Sequence, residues 1–140
     1  MNETQSGQSN TTRVLIVDDD QTNRELLRNM LRQLTTAELH VANDGRAGLE
    51  LFREFLPKMV FLDIDMPELD GFALLDQIHA MDNSVFVVMV SGHGQVEAVQ
   101  KATSQGAKGY IVKPYSAQRV FDAVHRYVSE TNDHGFLRNP

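Results

Sequence analysis

The sequence contains no cysteine. The chain therefore forms no disulfide bond and offers no thiolate to a metal ion, which excludes a disulfide scaffold and thiolate zinc sites. The same absence fits a reducing compartment, so we expect a cytoplasmic protein. The chain also lacks an apolar run near the roughly 20 residues of a membrane-spanning helix. Its first residues, 1–12, are too polar to resemble a secretory signal, and we expect no membrane partner.

Positive charge is also in short supply. The 140 residues include 13 Lys+Arg against 19 Asp+Glu, which gives a formal net charge of -6. Because an acidic surface repels nucleic-acid phosphates, we expect no nucleic-acid partner. The length is that of one domain, and a domain of this size buries roughly two-thirds of its unfolded surface. Such a domain folds without disulfides.

Polar segments at both ends bound the predicted domain. Residues 1–12 are rich in Ser, Thr, Asn, Gln and Gly, and we interpret them as a disordered polar tail. Residues 129–140 are also polar and contain Gly and Pro, and we interpret them as a polar C-terminal tail or the start of a linker. The predicted domain spans residues 13–128.

Between the tails, short apolar runs alternate with segments of helical periodicity. We predict five strands, each followed by a helix: Arg13 to Val17, Leu39 to Ala42, Met59 to Leu62, Val85 to Val90 and Tyr110 to Val112. Strands that are apolar along their whole length are typical of a parallel sheet covered by helices on both faces. The sequence therefore predicts an α/β fold with a doubly wound sheet. In such folds ligands bind beyond the carboxyl ends of the strands.

Reactive side chains follow four of the five predicted strands. They are Asp18, Asp19 and Asp20 after the first strand, Asp63 and Asp65 after the third, Ser91 after the fourth, and Lys113 after the fifth. In isolation several of these have ordinary roles, and Asp20 is better explained as the N-cap of the next helix than as a ligand. Their common position at the strand ends predicts one site.

The residue types in this set suit phosphoryl transfer. Carboxylates that lie close together repel each other, and a hard divalent cation such as Mg²⁺ relieves that repulsion while leaving room for phosphate oxygens. Lys113 supplies a compact cation and Ser91 a hydroxyl donor for phosphoryl oxygens. Asp63 is then the candidate nucleophile, because carboxylates form aspartyl phosphates. Phosphoryl transfer needs mainly positioning and charge neutralisation, which this set provides.

Four motifs carry these residues. They are V-D-D-D ending at Asp20, V-F-L-D-I-D-M-P-x-x-D-G containing Asp63, V-M-V-S-G containing Ser91, and G-Y-I-V-K-P ending at Pro114. Together, in this order, they resemble the receiver (chemotaxis-regulator-like) domain of two-component response regulators, over about residues 13–128. The resemblance implies a flavodoxin-like (βα)5 three-layer sandwich with a parallel sheet in the order 2-1-3-4-5.

The resemblance also implies a role for each site residue. Asp63 would be the phosphoacceptor, and Mg²⁺, with Mn²⁺ or Ca²⁺ as substitutes, would be its cofactor. The implied metal ligands are the side chains of Asp18, Asp19 and Asp63 and the backbone carbonyl of Asp65. Lys113 would bind the phosphoryl group.

Two further features implied by the resemblance concern a switch. Ser91 would close onto the phosphoryl group, and the side chain of Tyr110 would follow it, although an aromatic residue beside a strand is more often plain packing. The bond between Lys113 and Pro114 is a candidate cis peptide. Positions such as Asp65 and His93 would tune the lifetime of the phosphoryl group, and the charge of Asp65 could slow anionic donors or reposition water.

The expected function is that of a phosphorelay response regulator. The chain would accept a phosphoryl group from a sensor histidine kinase or a histidine phosphotransfer domain, and would later dephosphorylate itself without acting as an enzyme on other substrates. The face formed by the fourth helix, fifth strand and fifth helix would contact an unidentified downstream protein. We expect a monomer or a phosphorylation-dependent dimer.

Three other functions fit parts of the sequence. A receiver fold that acts only as an unphosphorylated docking scaffold would usually have lost a reactive residue, and none is lost here. Asp63-Ile64-Asp65 resembles the D-x-D motif of haloacid-dehalogenase-like phosphohydrolases, but in that family the motif follows the first strand. A flavodoxin-like cofactor binder would need a phosphate cradle where this chain has three acids.

Overall fold

The computed structural model describes residues 11–67 and 70–138, and strands alternate with helices along them. The strands are β1 (Arg13–Val17), β2 (Glu38–Ala42), β3 (Met59–Asp63), β4 (Phe86–Ser91) and β5 (Gly109–Val112). The helices are α1 (Gln21–Leu34), α2 (Gly45–Phe55), α3 (Gly71–Met81), α4 (Val96–Ser104) and α5 (Ala117–Thr131), followed by a short 3-10 helix (His134–Phe136). None of these helices is long and apolar enough to cross a membrane.

The strands form one parallel sheet in the order β2-β1-β3-β4-β5. The α/β fold class predicted from the sequence and the strand order implied by the family resemblance are therefore confirmed. In the register, Val17 pairs with Leu62, Asp63 with Val90, and Ser91 with Val112. Because the strands are parallel and end at nearly the same level, the residues that follow them share one edge of the sheet.

Each face of the sheet has its own hydrophobic core. Along β1, Val14 and Ile16 face a cluster completed by α1 and α5, whereas Leu15 and Val17 face a cluster completed by α2, α3 and α4. Both sets of β1 side chains are at most 1% exposed. The three central strands β1, β3 and β4 are nearly continuous apolar runs because both of their faces are buried, whereas the edge strands β2 and β5 are only partly buried.

Short polar side chains cap the helices that begin near the carboxyl edge of the sheet. The carboxylates of Asp20, Asp44 and Asp70 accept hydrogen bonds from backbone N–H groups in the first turns of α1, α2 and α3, and Ser116 does so for α5. Each such cap contributes about 1 kcal/mol. Asp20 thus serves as the N-cap that the sequence indicated.

The C-terminal segment differs from the predicted polar tail. Helix α5 continues to Thr131, and Phe136 is 1% exposed, with its ring 4.6 Å from that of Tyr127. The backbone N–H of Thr36 donates to the carbonyl of Phe136 (2.9 Å), and that of Arg138 to the carbonyl of Leu34 (2.9 Å). Phe136, with the partly buried Leu137 beside it, therefore anchors a mostly polar segment, so that its end at residues 136–138 packs on the domain.

The N-terminal tail falls mostly outside the described residues, which begin at residue 11. Thr12, the last residue assigned to that tail, is held in place. Its carbonyl accepts a hydrogen bond from the N–H of Glu38 (2.9 Å), and its hydroxyl donates to Asp133 in the C-terminal segment. The two ends of the described chain therefore meet.

Candidate functional site

Three carboxylates converge at the carboxyl edge of the sheet. Asp63 is the last residue of β3, Asp18 follows β1, and each is 1% exposed. Pairing of Val17 with Leu62 places the next residues of both strands side by side. Asp18, Asp19 and Asp63 each offer one oxygen, and these oxygens lie within 4.8 Å of one another. Asp19 is exposed, so the cluster opens to solvent on its side.

Lys113 brings the positive charge to this cluster. Its Nζ lies 3.1 Å from Oδ2 of Asp63 and 3.2 Å from Oδ2 of Asp18. Lys113 follows β5, and its N–H donates to the carbonyl of Ser91 (2.7 Å). The Lys113–Pro114 peptide bond is cis. The ammonium group reaches from the outermost strand to carboxylates of β1 and β3.

These charges shift the pKa values of their neighbours. Burial raises the pKa of Asp63, and the neighbouring Asp18 raises it further, against the opposing effects of the Asp65 N–H and of Lys113. Burial by itself would lower the pKa of Lys113, but the carboxylates of Asp18 and Asp63 outweigh burial and raise it. The site therefore holds more negative charge than the lysine balances.

The cluster fits a hard divalent cation. Oδ2 of Asp18 is buried and accepts no hydrogen bond from any of the described residues. Its 3.2 Å contact with Lys113 meets the distance of an ion pair but not the geometry of a hydrogen bond. A buried carboxylate oxygen without a hydrogen-bond donor, beside two further carboxylates, matches the oxygen ligands that Mg²⁺ prefers. The side chains that could hold the ion are those of Asp18, Asp19 and Asp63.

Ser91 lies at the end of β4, next to these acids, and is 1% exposed. Its hydroxyl donates to Oδ2 of Asp65 (3.0 Å), and the N–H of Gly92 donates to the same oxygen (3.2 Å). The backbone N–H of Asp65 donates to Oδ1 of Asp63 (3.0 Å). Asp65 therefore connects Asp63 to the loop after β4. The sequence placed Asp65 near the site but gave no sign of this side-chain contact.

Tyr110 contacts the same loop from β5. Its hydroxyl donates to the carbonyl of His93 (2.7 Å), and the N–H of His93 donates to Oγ of Ser91 (3.0 Å). A continuous series of hydrogen bonds thus runs from Asp65 through Ser91 and His93 to Tyr110. The phenol is half-buried, so its ring lies at the boundary between the site and the surface of β5.

Two residues at the site were missed in the sequence. Tyr115 is 7% exposed, and burial together with the charges of Asp18 and Asp63 raises the pKa of its hydroxyl. Arg24 donates from its guanidinium to the backbone carbonyl of Asp18 (2.8 Å). Tyr115 directly follows the K-P motif, which was a usable signal. Arg24 lies in the first turn of α1 and carries no distinguishing pattern.

The fold and the site together define a class of protein: a small parallel α/β domain in which one buried carboxylate lies near two further acids, a lysine and a serine. Comparison with known proteins gives the class a name. The family profile described as the response regulator receiver domain matches residues 14–125. The chain therefore belongs to the response regulator receiver domain family.

Individual relatives agree with the family match. The chemotaxis protein CheY of Listeria monocytogenes is 39% identical over 114 residues, which cover 81% of this chain and 96% of that protein. A CheY-like receiver domain protein from Methanospirillum hungatei has a TM-score of 0.79 at 25% identity, over 89% of this chain and 99% of that one. A chain of the CheX–CheY–BeF3–Mg complex from Borrelia burgdorferi has a TM-score of 0.76 at 29% identity, over 82% of this chain and 87% of that one.

Proposed function

We propose that this receiver domain accepts a phosphoryl group on Asp63 from the phosphohistidine of a sensor histidine kinase or a histidine phosphotransfer domain. The observation that carries the proposal is the setting of Asp63. Its buried carboxylate lies beside Asp18 and Asp19, with the ammonium of Lys113 at 3.1 Å. The family match supports phosphorelay signalling, and it does not favour a docking scaffold or a haloacid-dehalogenase-like phosphohydrolase.

The transfer itself is a displacement at phosphorus. An oxygen of the Asp63 carboxylate attacks, the phosphorus–nitrogen bond of the donor breaks, and its electron pair returns to the imidazole. Lys113 stays beside Asp63 to bind a phosphoryl oxygen, and the hydroxyl of Ser91 and the N–H of Gly92 supply donors. In the later hydrolysis, a water oxygen attacks phosphorus and the bond to Asp63 breaks, which releases phosphate and restores the carboxylate.

Magnesium belongs to this proposal as the cofactor, with Mn²⁺ or Ca²⁺ as substitutes. The side chains of Asp18, Asp19 and Asp63 would hold it, together with the backbone carbonyl of Asp65. When bound, the ion would neutralise charge on the phosphoryl oxygens. Oδ2 of Asp18, which is buried and accepts no hydrogen bond from the described residues, supports this assignment.

We propose that phosphorylation changes the loop after β4 and that this change is passed on to the surface of the domain. Ser91 would turn toward the phosphoryl group, and because His93 donates to Ser91 and accepts from Tyr110, that movement would alter the support of the Tyr110 ring. The surface formed by α4, β5 and α5 would then shift between two populations and be recognised by a downstream protein. A monomer, or a dimer formed on phosphorylation through this surface, is consistent with the same scheme.

The catalytic scope we propose is narrow. The domain would catalyse only its own phosphorylation and dephosphorylation, with no turnover of separate substrates. The absence of cysteine supports the cytoplasmic location that we propose with it. Turnover of a small phosphomonoester such as p-nitrophenyl phosphate would contradict this scope and favour the phosphohydrolase.

The direct test is the intact mass of the protein after incubation with Mg²⁺ and acetyl phosphate. We expect the wild type to gain the mass of one phosphoryl group, and Asp63→Asn and EDTA-treated wild type to gain none. Asp44→Asn is a matched control, because it makes the same chemical change at an exposed N-cap where Asn caps as well as Asp. Modification of Asp63→Asn, or none of the wild type with Mg²⁺ bound, would contradict the proposal.

A further inference from the structure

The carboxylate of Asp65 accepts two hydrogen bonds where β4 ends and the next loop begins. Its Oδ2 lies 3.0 Å from Oγ of Ser91 and 3.2 Å from the N–H of Gly92. A hydroxyl and a backbone N–H that converge on one anionic oxygen form an oxyanion site. In this structure the oxygen in that site belongs to the protein itself.

The proposed chemistry would bring a second anion, the phosphoryl group, to the same donors. Asp63, the proposed acceptor, is two residues away, and its Oδ1 accepts a hydrogen bond from the N–H of Asp65 (3.0 Å). A phosphoryl oxygen on Asp63 would draw on the same Ser91 hydroxyl, which has one proton to donate. The Asp65 carboxylate and the phosphoryl group therefore compete for one donor.

We propose that Asp65 is an internal competitor of the phosphoryl group, which holds Ser91 and Gly92 in the resting arrangement until phosphorylation of Asp63 displaces it. This inference rests on the proposed function. Asp65 is here a positioning residue, since it acts through Ser91 and the loop. If Asp65 acted only through its negative charge, its hydrogen bonds to Ser91 and Gly92 would play no part. Experiments can therefore distinguish competition for these donors from charge repulsion.

The effect of releasing the Asp65 carboxylate would be transmitted to Tyr110, at the surface of β5, through hydrogen bonds already present. Oγ of Ser91 accepts from the N–H of His93 (3.0 Å), and the carbonyl of His93 accepts from the hydroxyl of Tyr110 (2.7 Å). While Asp65 holds Ser91, this series is fixed in one geometry. Removal of the Asp65 carboxylate should therefore loosen the loop in the unphosphorylated protein.

The contact is tested first without any phosphoryl group. In the metal-free protein, Asp65→Ala should move the Gly92 amide proton upfield in a nitrogen–proton correlation spectrum and speed its exchange with water, because the N–H loses its carboxylate acceptor. Glu97→Ala is the control: Glu97 is an exposed carboxylate in the first turn of α4 that makes no hydrogen bond or ion pair to the described residues. An unchanged Gly92 resonance in Asp65→Ala would overturn the inference.

Competition is tested with beryllofluoride, a stable analogue of the phosphoryl group, titrated in saturating Mg²⁺. Loss of the competing carboxylate in Asp65→Ala should raise the affinity for beryllofluoride about 10-fold, because a hydrogen bond to a charged group contributes at least that factor. Glu97→Ala should bind as the wild type does. The backbone carbonyl of residue 65 is retained in the variant, and Mg²⁺ affinity measured alongside shows whether the metal site has changed.

The Ser91→Ala background separates competition from simple repulsion. If Asp65 acts by holding Ser91, the gain from Asp65→Ala should be smaller in Ser91→Ala than in the wild type. An equal gain in beryllofluoride affinity in both backgrounds would show charge repulsion and overturn the inference. Equal midpoints of the beryllofluoride titration for Asp65→Ala and the wild type would also overturn it. Failure of every variant, wild type included, to bind beryllofluoride with Mg²⁺ bound would instead overturn the proposed function, and this inference with it.

Discussion

Replacement of Gly71 by alanine would push directly on the backbone of the proposed phosphoacceptor. Gly71 is the buried first residue of α3. A Cβ there would lie 2.5 Å from the carbonyl oxygen of Asp63 and 2.7 Å from Cα of Ile64. Ordinary van der Waals contacts of a Cβ begin at 3.4 Å. The obstructing atoms belong to the main chain, so no side-chain rotation relieves the clash.

Two effects of opposite sign decide the outcome of Gly71→Ala. Alanine is a better helix former than glycine by about 1 kcal/mol, which would stabilise α3. Overpacking a rigid core costs about 1–3 kcal/mol, and here it falls on backbone that cannot rotate away. We therefore expect a net loss of stability. The larger effect should be on the reaction, because a shift of roughly 1 Å in a reacting group lowers a rate by about 100-fold.

The assay compares rates of phosphorylation by acetyl phosphate, followed by intact mass in saturating Mg²⁺, with the free energy of unfolding in urea. Gly135→Ala is the matched control, because a Cβ at Gly135 meets nothing within 4 Å. We expect Gly71→Ala to be phosphorylated about 100-fold more slowly at a temperature where it remains folded. A folded Gly71→Ala protein that reacts at the wild-type rate would refute the reasoning about Asp63.

Three further predictions follow from the same structure. Lys113→Ala removes the ammonium between two carboxylates, so it should slow phosphorylation about 100-fold while tightening Mg²⁺ binding about 10-fold, as measured by single-turnover kinetics and metal titration. Unchanged Mg²⁺ affinity would contradict the proposed charge balance. Phe136→Ala should lower the free energy of unfolding in urea by about 3–5 kcal/mol, because the ring is buried on α5, and a loss under about 1 kcal/mol would show that the C-terminal segment is dispensable. Burial and the hydrogen bond to Asp133 raise the pKa of Tyr127, so the tyrosine contributes stability below about pH 10 that is lost as pH rises through its folded-state pKa. The free energy of unfolding should fall less steeply above about pH 10 in Tyr127→Phe than in the wild type, and parallel pH profiles would contradict the assignment.

Most of the fold was predictable from the sequence because the rule that governs it is local. A strand buried on both faces is a continuous apolar run, as Met59 to Leu62 and Val85 to Val90 show, and such runs favour a parallel sheet. Parallel strands gather the residues that follow them at one edge. The proximity of Asp18, Asp63 and Lys113 therefore followed from the parallel sheet together with the strand order that the family resemblance implied.

The contacts that were not predictable depend on single side chains in loops. Asp65 could have pointed to solvent, and only the placement of Ser91 and Gly92 gives its carboxylate two donors. Phe136 and Leu137 are the only large apolar residues in the stretch 129–140, where periodicity has nothing to detect, and the burial of Phe136 depends on the position of Tyr127. Patterns that extend over several residues predict strands and helices, whereas the contact partner of a single side chain is known only from the three-dimensional structure.

The residues of the site lower the stability of the folded domain. Asp18 and Asp63 are each 1% exposed, and buried carboxylates lower stability unless charge and hydrogen bonds compensate them fully. Lys113 compensates only in part, since one ammonium faces the carboxylates of Asp18, Asp19 and Asp63, and Oδ2 of Asp18 accepts no hydrogen bond within the described residues. With all three carboxylates ionised and one ammonium beside them, the excess is two negative charges, the charge that a divalent cation cancels. This excess of negative charge favours a cation at the site, as the proposed role of Mg²⁺ requires, and disfavours an anionic phosphoryl group while no cation is bound.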